Sequence, residues 1–421
     1  MTLWERRVQG GDMRRALLVL ALLTVCALHA DVFKFLNTAR IAYFNEKDYG
    51  RARKSCLEGL EIEPGYVELL VLLGGSEMGL GNWAASADAF VRAFAADTAK
   101  TLDWIDRQTE GRKYYFQAFY FHARELFEKG EFDEALRYLS HDTVFGIDDI
   151  NVYVLRGASL YKLERFDEAN NEYLKVLDLD PQNPDVNFLI AKSLFDNGDY
   201  DGCLTYFTTA IDYYMISYQR LGRMLFQNLL EIDSLLAQKI VILWLNGEMA
   251  ELDRVLIDTL GFREGLAVQG TNVEQFAKAS ADLGRSYYYY SMAHHNLKAD
   301  TVALTYMLQS AKYQPTDLDA LYFAGEMSVR LGRYREAVPY LERLTRLSPE
   351  DKYAWFYLGV CYTEIKEYSK AIDVYENRVL KLDPGDIDVM NNLAYVYREK
   401  GDSEKALQWL IRAEEQQKKQ K

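Results

Sequence analysis

The sequence is poor in the residues that break helices or bridge distant segments. Only 7 prolines and 4 cysteines occur in 421 residues. Scarce proline favours long stretches of helix, because proline lacks the backbone donor that a helix interior needs. The three cysteines after residue 30, Cys56, Cys203 and Cys361, are widely separated along the chain. We interpret them as small core residues and do not expect a disulfide framework.

Histidine and positive charge are also scarce, with 5 histidines and a formal net charge of −14. A nucleic-acid partner usually requires a basic stripe, whereas only residues 418–421 are notably basic, so we expect no nucleic-acid binding. His294 and His295 are adjacent, point to different sides of a helix and are not expected to share a metal ion. No catalytic group, cofactor or metal site is predicted, and we expect a protein that is not an enzyme.

Residues 1–30 have the layout of an export signal. Arg14 and Arg15 precede an apolar run from residue 16 to residue 28 that is followed by the small residue Ala30. The run is too short to span a bilayer comfortably. We therefore expect a signal peptide cleaved after Ala30 and a folded part that is exported to the periplasm.

Two alternatives stay open at this terminus. The stretch that ends in Cys26, Leu-Thr-Val-Cys, resembles a bacterial lipobox, which would make Cys26 a lipidation site. An uncleaved signal would instead act as an anchor. In either case membrane association is expected only through the N-terminus.

A second feature is a unit of two apolar-periodic stretches around a polar turn, best seen from Lys352 to Pro384. Each stretch places its apolar residues on one face of a helix. These residues are Trp355, Leu358, Gly359 and Tyr362 in the first stretch, and Ala371, Val374 and Tyr375 in the second. Because two helices alone bury too little apolar surface, such a hairpin needs further copies to stack against.

The unit resembles the tetratricopeptide repeat, and further copies follow in phase. Frames begin at Phe33, Val67, Phe116, Ile150, Pro184, Gly284, Leu318, Lys352 and Ile387. A small residue marks the predicted helix crossing in each frame: Ala52, Ser86, Ala135, Ala169, Cys203, Ala303, Ala337, Ala371 and Ala406. The resemblance implies an all-α fold, a right-handed superhelical solenoid of antiparallel helical hairpins.

The phase of the repeats divides the chain after the signal into three parts. Residues 31–217 hold five repeats with an insertion at 101–115, which we expect to extend the preceding helix and then turn. Residues 218–283 form a divergent helical segment, interpreted as two degenerate helical pairs. Residues 284–421 hold four repeats and a tail.

A capping-box pattern predicts that a helix starts at Asn272, and this helix is expected to run to about Asn296 because no strong breaker interrupts it. Residues 247–270 are then the predicted hinge or protruding loop.

In the family that the chain resembles, the first helices of the repeats line a concave groove that receives peptides or partner helices. The resemblance therefore assigns a partner-binding groove to aromatic residues of these helices: Tyr120, Phe127, Tyr161, Phe188, Phe195, Tyr288, Tyr322, Tyr353, Phe356 and Tyr395. The Lys and Asn pattern that grips carboxyl-terminal peptides is absent, so binding of chaperone tails is not implied. Two interpretations of the aromatic residues stay open, packing between repeats and recognition of a partner.

Together these features predict a non-enzymatic, exported scaffold with a protein or peptide partner. An alternative is a periplasmic or lipoprotein partner of an envelope assembly or transport system that binds a small ligand or lipid. A repeat arm attached to an enzyme is a third interpretation.

Overall fold

The computed structural model describes residues 31–230, 239 and 271–420. All regular structure in these residues is helical, and the helices form antiparallel hairpins. The predicted all-α, tetratricopeptide-type solenoid class is therefore confirmed. None of the described helices is both long and apolar enough to cross a membrane. The predicted signal, Cys26 and the predicted loop at 247–270 lie outside the described residues.

The chain divides into two compact units, residues 1–176 and 177–421. The helices up to the division are α1 (residues 31–46, π-helical at Ile41–Glu46), α2 (Tyr49–Ile62), α3 (Val67–Gly79), α4 (Trp83–Asp106), α5 (Gly111–Lys129), α6 (Phe132–Leu139), α7 (Asp142–Phe145), α8 (Ile150–Lys162) and α9 (Phe166–Leu179). The division falls near the end of α9.

The helices of the second unit are likewise the first and second helices of successive hairpins. They are α10 (Pro184–Asp196), α11 (Gly202–Leu230), α12 (Thr271–Asn296), α13 (Asp300–Tyr313), α14 (Leu318–Arg330), α15 (Tyr334–Leu347), α16 (Lys352–Glu364), α17 (Tyr368–Val374, π-helical at Tyr375–Val379, then Leu380–Leu382), α18 (Ile387–Glu399) and α19 (Ser403–Gln420).

The repeat frame predicts where first helices begin. Six helices start at the first residue of their predicted frames: Val67, Ile150, Pro184, Leu318, Lys352 and Ile387. For five of the six, all except the helix at Val67, the residue before the frame explains this, because its side-chain oxygen accepts a bond from a backbone N–H of the first turn. Asp317, Asp351 and Asp386 do so for α14, α16 and α18.

The first helix of each repeat ends in a left-handed residue, which terminates the helix and turns the chain into the second helix. These residues are Lys47, Gly81, Gly130, Glu164, Gly198, Lys298, Gly332, Lys366 and Gly401. The same position of every frame thus adopts this conformation, whether or not it holds glycine.

The predicted crossing residues lie in the cores of the hairpins. Eight of them are 0% exposed, and Ala406 is 7% exposed. Cys56, Cys203 and Cys361 are also 0% exposed, which confirms their interpretation as small core residues. In the hairpin of α16 and α17 the backbone of Gly359 lies directly against the ring of Tyr375.

The insertion at 101–115 extends α4 and then turns before Gly111, as predicted. A kink divides the extended helix at Asp97, whose φ of −164° and ψ of 102° are not helical. The Asp97 carboxylate accepts a bond from the backbone N–H of Lys100 at 2.9 Å, so it caps the helical part that follows the kink.

The structure describes the two ends of the segment 218–283, which was predicted to hold two degenerate helical pairs. Residues 218–230 continue α11 and residues 271–283 belong to α12, and these two helices pack against each other. The rings of Tyr218 and Phe276 stack at 4.7 Å between their centroids. The long helix predicted to reach about residue 296 is confirmed.

Candidate functional site

The ten aromatic residues predicted for the groove, called here the first-helix stripe, differ in exposure. Tyr353 and Tyr395 are the most exposed, at 60% and 44%, whereas Phe188 is only 8% exposed. The other seven rings are partly buried: Tyr120, Phe127, Tyr161, Phe195, Tyr288, Tyr322 and Phe356. The stripe therefore combines packing residues with residues that a partner could contact.

In the second unit, stripe residues pack edge-to-face against the first helix of the next repeat. The ring of Tyr288 lies 6.1 Å from that of Phe323 at an interplanar angle of 62°. The ring of Tyr322 lies 6.1 Å from that of Tyr357 at 68°. Such contacts stabilise the stack of repeats and leave part of each stripe ring accessible.

The rings that receive these contacts were not predicted. Each follows a stripe residue directly in the sequence, as Phe323 follows Tyr322 and Tyr357 follows Phe356. The sequence signal for these contacts was therefore a pair of adjacent aromatic residues that recurs in consecutive first helices.

Phe188 has a different environment from the rest of the stripe. Its ring contacts Phe207 and Tyr289 at centroid distances of 5.9 and 6.0 Å. The guanidinium of Arg285 lies 4.8 Å from the ring centroid. Phe188 is therefore a core residue that offers a partner little surface.

Three further stripe residues pack within their own hairpins. Each faces the aromatic residue that follows the left-handed turn, with centroid distances between 5.3 and 5.7 Å: Phe127 with Phe132, Tyr161 with Phe166, and Phe195 with Tyr200. These contacts close the turn end of the hairpin.

Tyr120 lines a cleft of about 170 Å³ in the first unit. Phe116 and Val152 contribute apolar walls, and Gln117 and Asn151 contribute amides. Lys113 and Asp149 also line the cleft and form an ion pair at 2.7 Å, so charged groups adjoin its apolar walls.

Carboxylates lie near two stripe residues of the second unit, Tyr288 and Tyr322. Burial, followed by the nearby charges of Asp319 and Asp317, raises the pKa of Tyr288 to about 12. Burial and the neighbouring Tyr357 raise the pKa of Tyr322 to about 12, with a further contribution from Glu326. Both hydroxyls therefore stay protonated, and able to donate hydrogen bonds, to a higher pH than an ordinary tyrosine.

The two exposed stripe residues each carry a cation over the ring. The Lys352 ammonium lies 5.3 Å from the Tyr353 ring centroid and also pairs with Asp383 and Asp386 at 2.9 and 3.2 Å. The Arg398 guanidinium lies 5.3 Å from the Tyr395 centroid. These contacts orient the rings without burying them.

The adjacent histidines contact different partners. The His294 ring stacks on Tyr306 at 5.7 Å, and His295 Nδ1 lies 2.6 Å from Asp300 Oδ1. The two imidazoles therefore do not converge on one site. Across residues 31–230 and 271–420, no three His, Cys, Asp or Glu side chains converge as metal ligands.

Repeat-family models match this chain in three places. Tetratricopeptide repeat models match residues 328–387 and 376–408, and a TPR repeat model matches residues 157–198. The first two ranges lie in the second unit, and the third spans the division at residue 176.

Individual known proteins are similar to this chain only at low sequence identity. Cell division cycle protein 27 homolog A from Arabidopsis thaliana is 28% identical over 110 residues, which is 26% of this chain and 15% of that protein. Among solved structures, YrrB is a TPR protein with an unusual peptide-binding site. It is 19% identical, with 58% of this chain and 92% of YrrB covered and a TM-score of 0.37.

A second solved structure is MamA from Desulfovibrio magneticus RS-1. It is 22% identical, with 36% of this chain and 90% of MamA covered and a TM-score of 0.30. Together, the matching repeat models, the frame in which the first helices begin and the buried crossing residues identify the chain as a tetratricopeptide repeat protein.

Proposed function

We propose that this chain is a non-enzymatic scaffold that binds a segment of a partner protein through the first-helix stripe of its second unit. The exposure of Tyr353 and Tyr395 is the observation that carries the proposal, because both are large aromatic residues on first helices of neighbouring repeats. Tyrosine combines an apolar ring with a hydrogen-bonding hydroxyl and is enriched at protein interfaces. The repeat family supports an interaction role of this kind.

The charges beside the stripe favour a particular partner chemistry. Asp319 and Glu326 form no ion pair with any residue in the described part of the chain. Both lie close enough to Tyr288 or Tyr322 to influence the pKa of its hydroxyl. A segment with apolar side chains and Lys or Arg would complement both the rings and the carboxylates.

Selection from a library of random twelve-residue peptides tests this proposal on the full chain. We expect enriched peptides that carry basic and apolar residues. Changing Tyr353→Ala and Tyr395→Ala together should weaken their binding by about tenfold or more, since truncating an aromatic anchor commonly costs that much. Fluorescence anisotropy of labelled peptides measures the change.

The matched control is Leu347→Ala, on the second helix α15, where the side chain is 45% exposed. This variant should bind the basic peptides as the wild type does. Equal binding by the tyrosine variant, or no enrichment of basic peptides, would refute this binding role of the stripe.

We also propose that the chain is exported to the periplasm, on the basis of Arg14, Arg15 and the apolar run that follows them. A fusion of residues 1–40 to a reporter that is active only outside the cytoplasm should give signal, and a silent reporter would refute export. Incorporation of a palmitate analogue that is lost in Cys26→Ala would identify a lipoprotein.

A further inference from the structure

Two related clefts lie between consecutive second helices at the end of the second unit. The first is formed by α15 and α17 over α16, and has a volume of about 590 Å³. The second is formed by α17 and α19 over α18, and has a volume of about 640 Å³. They are called here the second-helix clefts, and neither contains a residue of the first-helix stripe.

Each cleft contains a tyrosine that a glutamate contacts at its hydroxyl and a lysine contacts over its ring. In the first, the Tyr362 hydroxyl donates to Glu342 at 2.5 Å, and the Lys370 ammonium lies 5.1 Å from the ring centroid. In the second, the Tyr397 hydroxyl donates to Glu376 at 2.8 Å.

The Lys405 ammonium lies 5.1 Å from the Tyr397 ring centroid. It corresponds to Lys370 over the Tyr362 ring in the first cleft. The same arrangement of tyrosine, glutamate and lysine thus occurs in both clefts. Each cleft is therefore a repeated, preorganised surface rather than a chance gap between helices.

Arginines that lack carboxylate partners line the clefts. The Arg378 guanidinium lies 5.1 Å from the Trp355 ring centroid, and the Arg412 guanidinium lies 4.6 Å from the Trp409 centroid. Arg346, Arg378 and Arg412 are exposed and form no ion pair with another described residue. A guanidinium stacked on a ring keeps its N–H groups available for a bidentate contact with a carboxylate.

The charge of each cleft favours an anionic ligand. Three basic and two acidic side chains line each one. One acidic side chain in each cleft, Glu342 or Glu376, already accepts a bond from the tyrosine hydroxyl. Basic and acidic residues nearly balance from residue 330 onward, whereas the rest of the chain carries the negative charge.

We propose that the second-helix clefts dock an acidic segment of a partner protein, with Asp or Glu side chains opposite Arg346, Arg378 and Arg412. The tryptophan rings would contact apolar residues between these acids. A peptide with separated acids fits better than a nucleic acid, because the carboxylates in the clefts would repel a continuous row of phosphates.

The test uses the full chain, a random twelve-residue peptide library and a triple variant, Arg346→Gln, Arg378→Gln and Arg412→Gln. We expect a class of acidic peptides to be enriched on the wild type and to lose about tenfold or more in affinity on this variant. Higher salt should weaken their binding, because exposed charges are screened. Because the three arginine side chains are exposed, we expect the variant to fold like the wild type. Circular dichroism checks the fold.

A matched control removes the same number of charges elsewhere, with Arg51→Gln, Arg137→Gln and Arg165→Gln in the first unit. This control and the Tyr353→Ala, Tyr395→Ala variant should both bind acidic peptides like the wild type. The proposal for the clefts can therefore fail while that for the stripe stands, and the reverse also holds.

Three results would overturn the proposal. The first is that no acidic peptide is enriched, and the second is that the cleft variant retains their binding. The third is that an oligothymidine of twelve nucleotides displaces the peptides as well as unlabelled peptide does, because the clefts would then attract any polyanion.

Discussion

Substitution of Gly359 tests whether close contact between the two helices of a hairpin holds the repeats together. A Cβ atom at this position would lie 2.8 Å from both Cδ1 and Cζ of Tyr375. The Tyr375 ring is 0% exposed, so it cannot swing toward solvent to make room. Gly359→Ala must therefore displace a buried ring or separate α16 from α17.

The expected magnitude follows from two opposing effects. Alanine is the better helix former and would stabilise α16 by about 1 kcal/mol. Overpacking of a rigid core costs about 1–3 kcal/mol, and the upper value applies here because the ring has no free space. The net expectation is a destabilisation of about 2 kcal/mol, or a midpoint about 4–8 °C lower for a unit of this size.

Thermal unfolding followed by circular dichroism measures this change, and hydrogen exchange assigns it to the second unit. Gly284→Ala is the matched control, because its Cβ would meet the side chain of Gln314, a flexible chain that can move aside. That variant should be at least as stable as the wild type. Equal or greater stability of Gly359→Ala would refute the argument.

Three further predictions concern the turns, the crossings and alkaline pH. Glu164 has a φ of 58°, so Glu164→Gly should stabilise by about 0.5–1 kcal/mol in urea unfolding, and a loss of stability would contradict the strain argument. Ala169 is 0% exposed, so Ala169→Trp should reduce amide protection in the first unit more than in residues 284–420, and a uniform loss would contradict nearest-neighbour stability. Burial, then the bond to Glu376, raises the pKa of Tyr397 to about 12, above the value of about 10 in an unfolded chain. The stabilisation from Tyr397 is therefore complete below pH 10 and is lost as the pH rises toward 12. Tyr397→Phe should then lose less stability than the wild type between these pH values. An unchanged dependence of stability on pH would contradict this.

Much of the fold was predictable because its signals are local. The aspartates before Leu318, Lys352 and Ile387 cap the helices that begin there, and cap and helix lie within one turn. The small crossing residues share a spacing that the sequence itself displays. Glu164 and Lys366 also showed that the left-handed turn position depends on the frame and does not require glycine.

The sequence by itself thus determined the class of protein, the phase of its helices and the aromatic nature of the first-helix surface. Only the tertiary structure decided which of those rings are available to a partner. Phe188 is buried because Arg285 and Tyr289 pack against it from α12, far along the chain. The second-helix clefts likewise combine side chains from three helices, and no spacing within one helix records that arrangement. Exposure depends on long-range packing, whereas helix phase depends on neighbours in sequence.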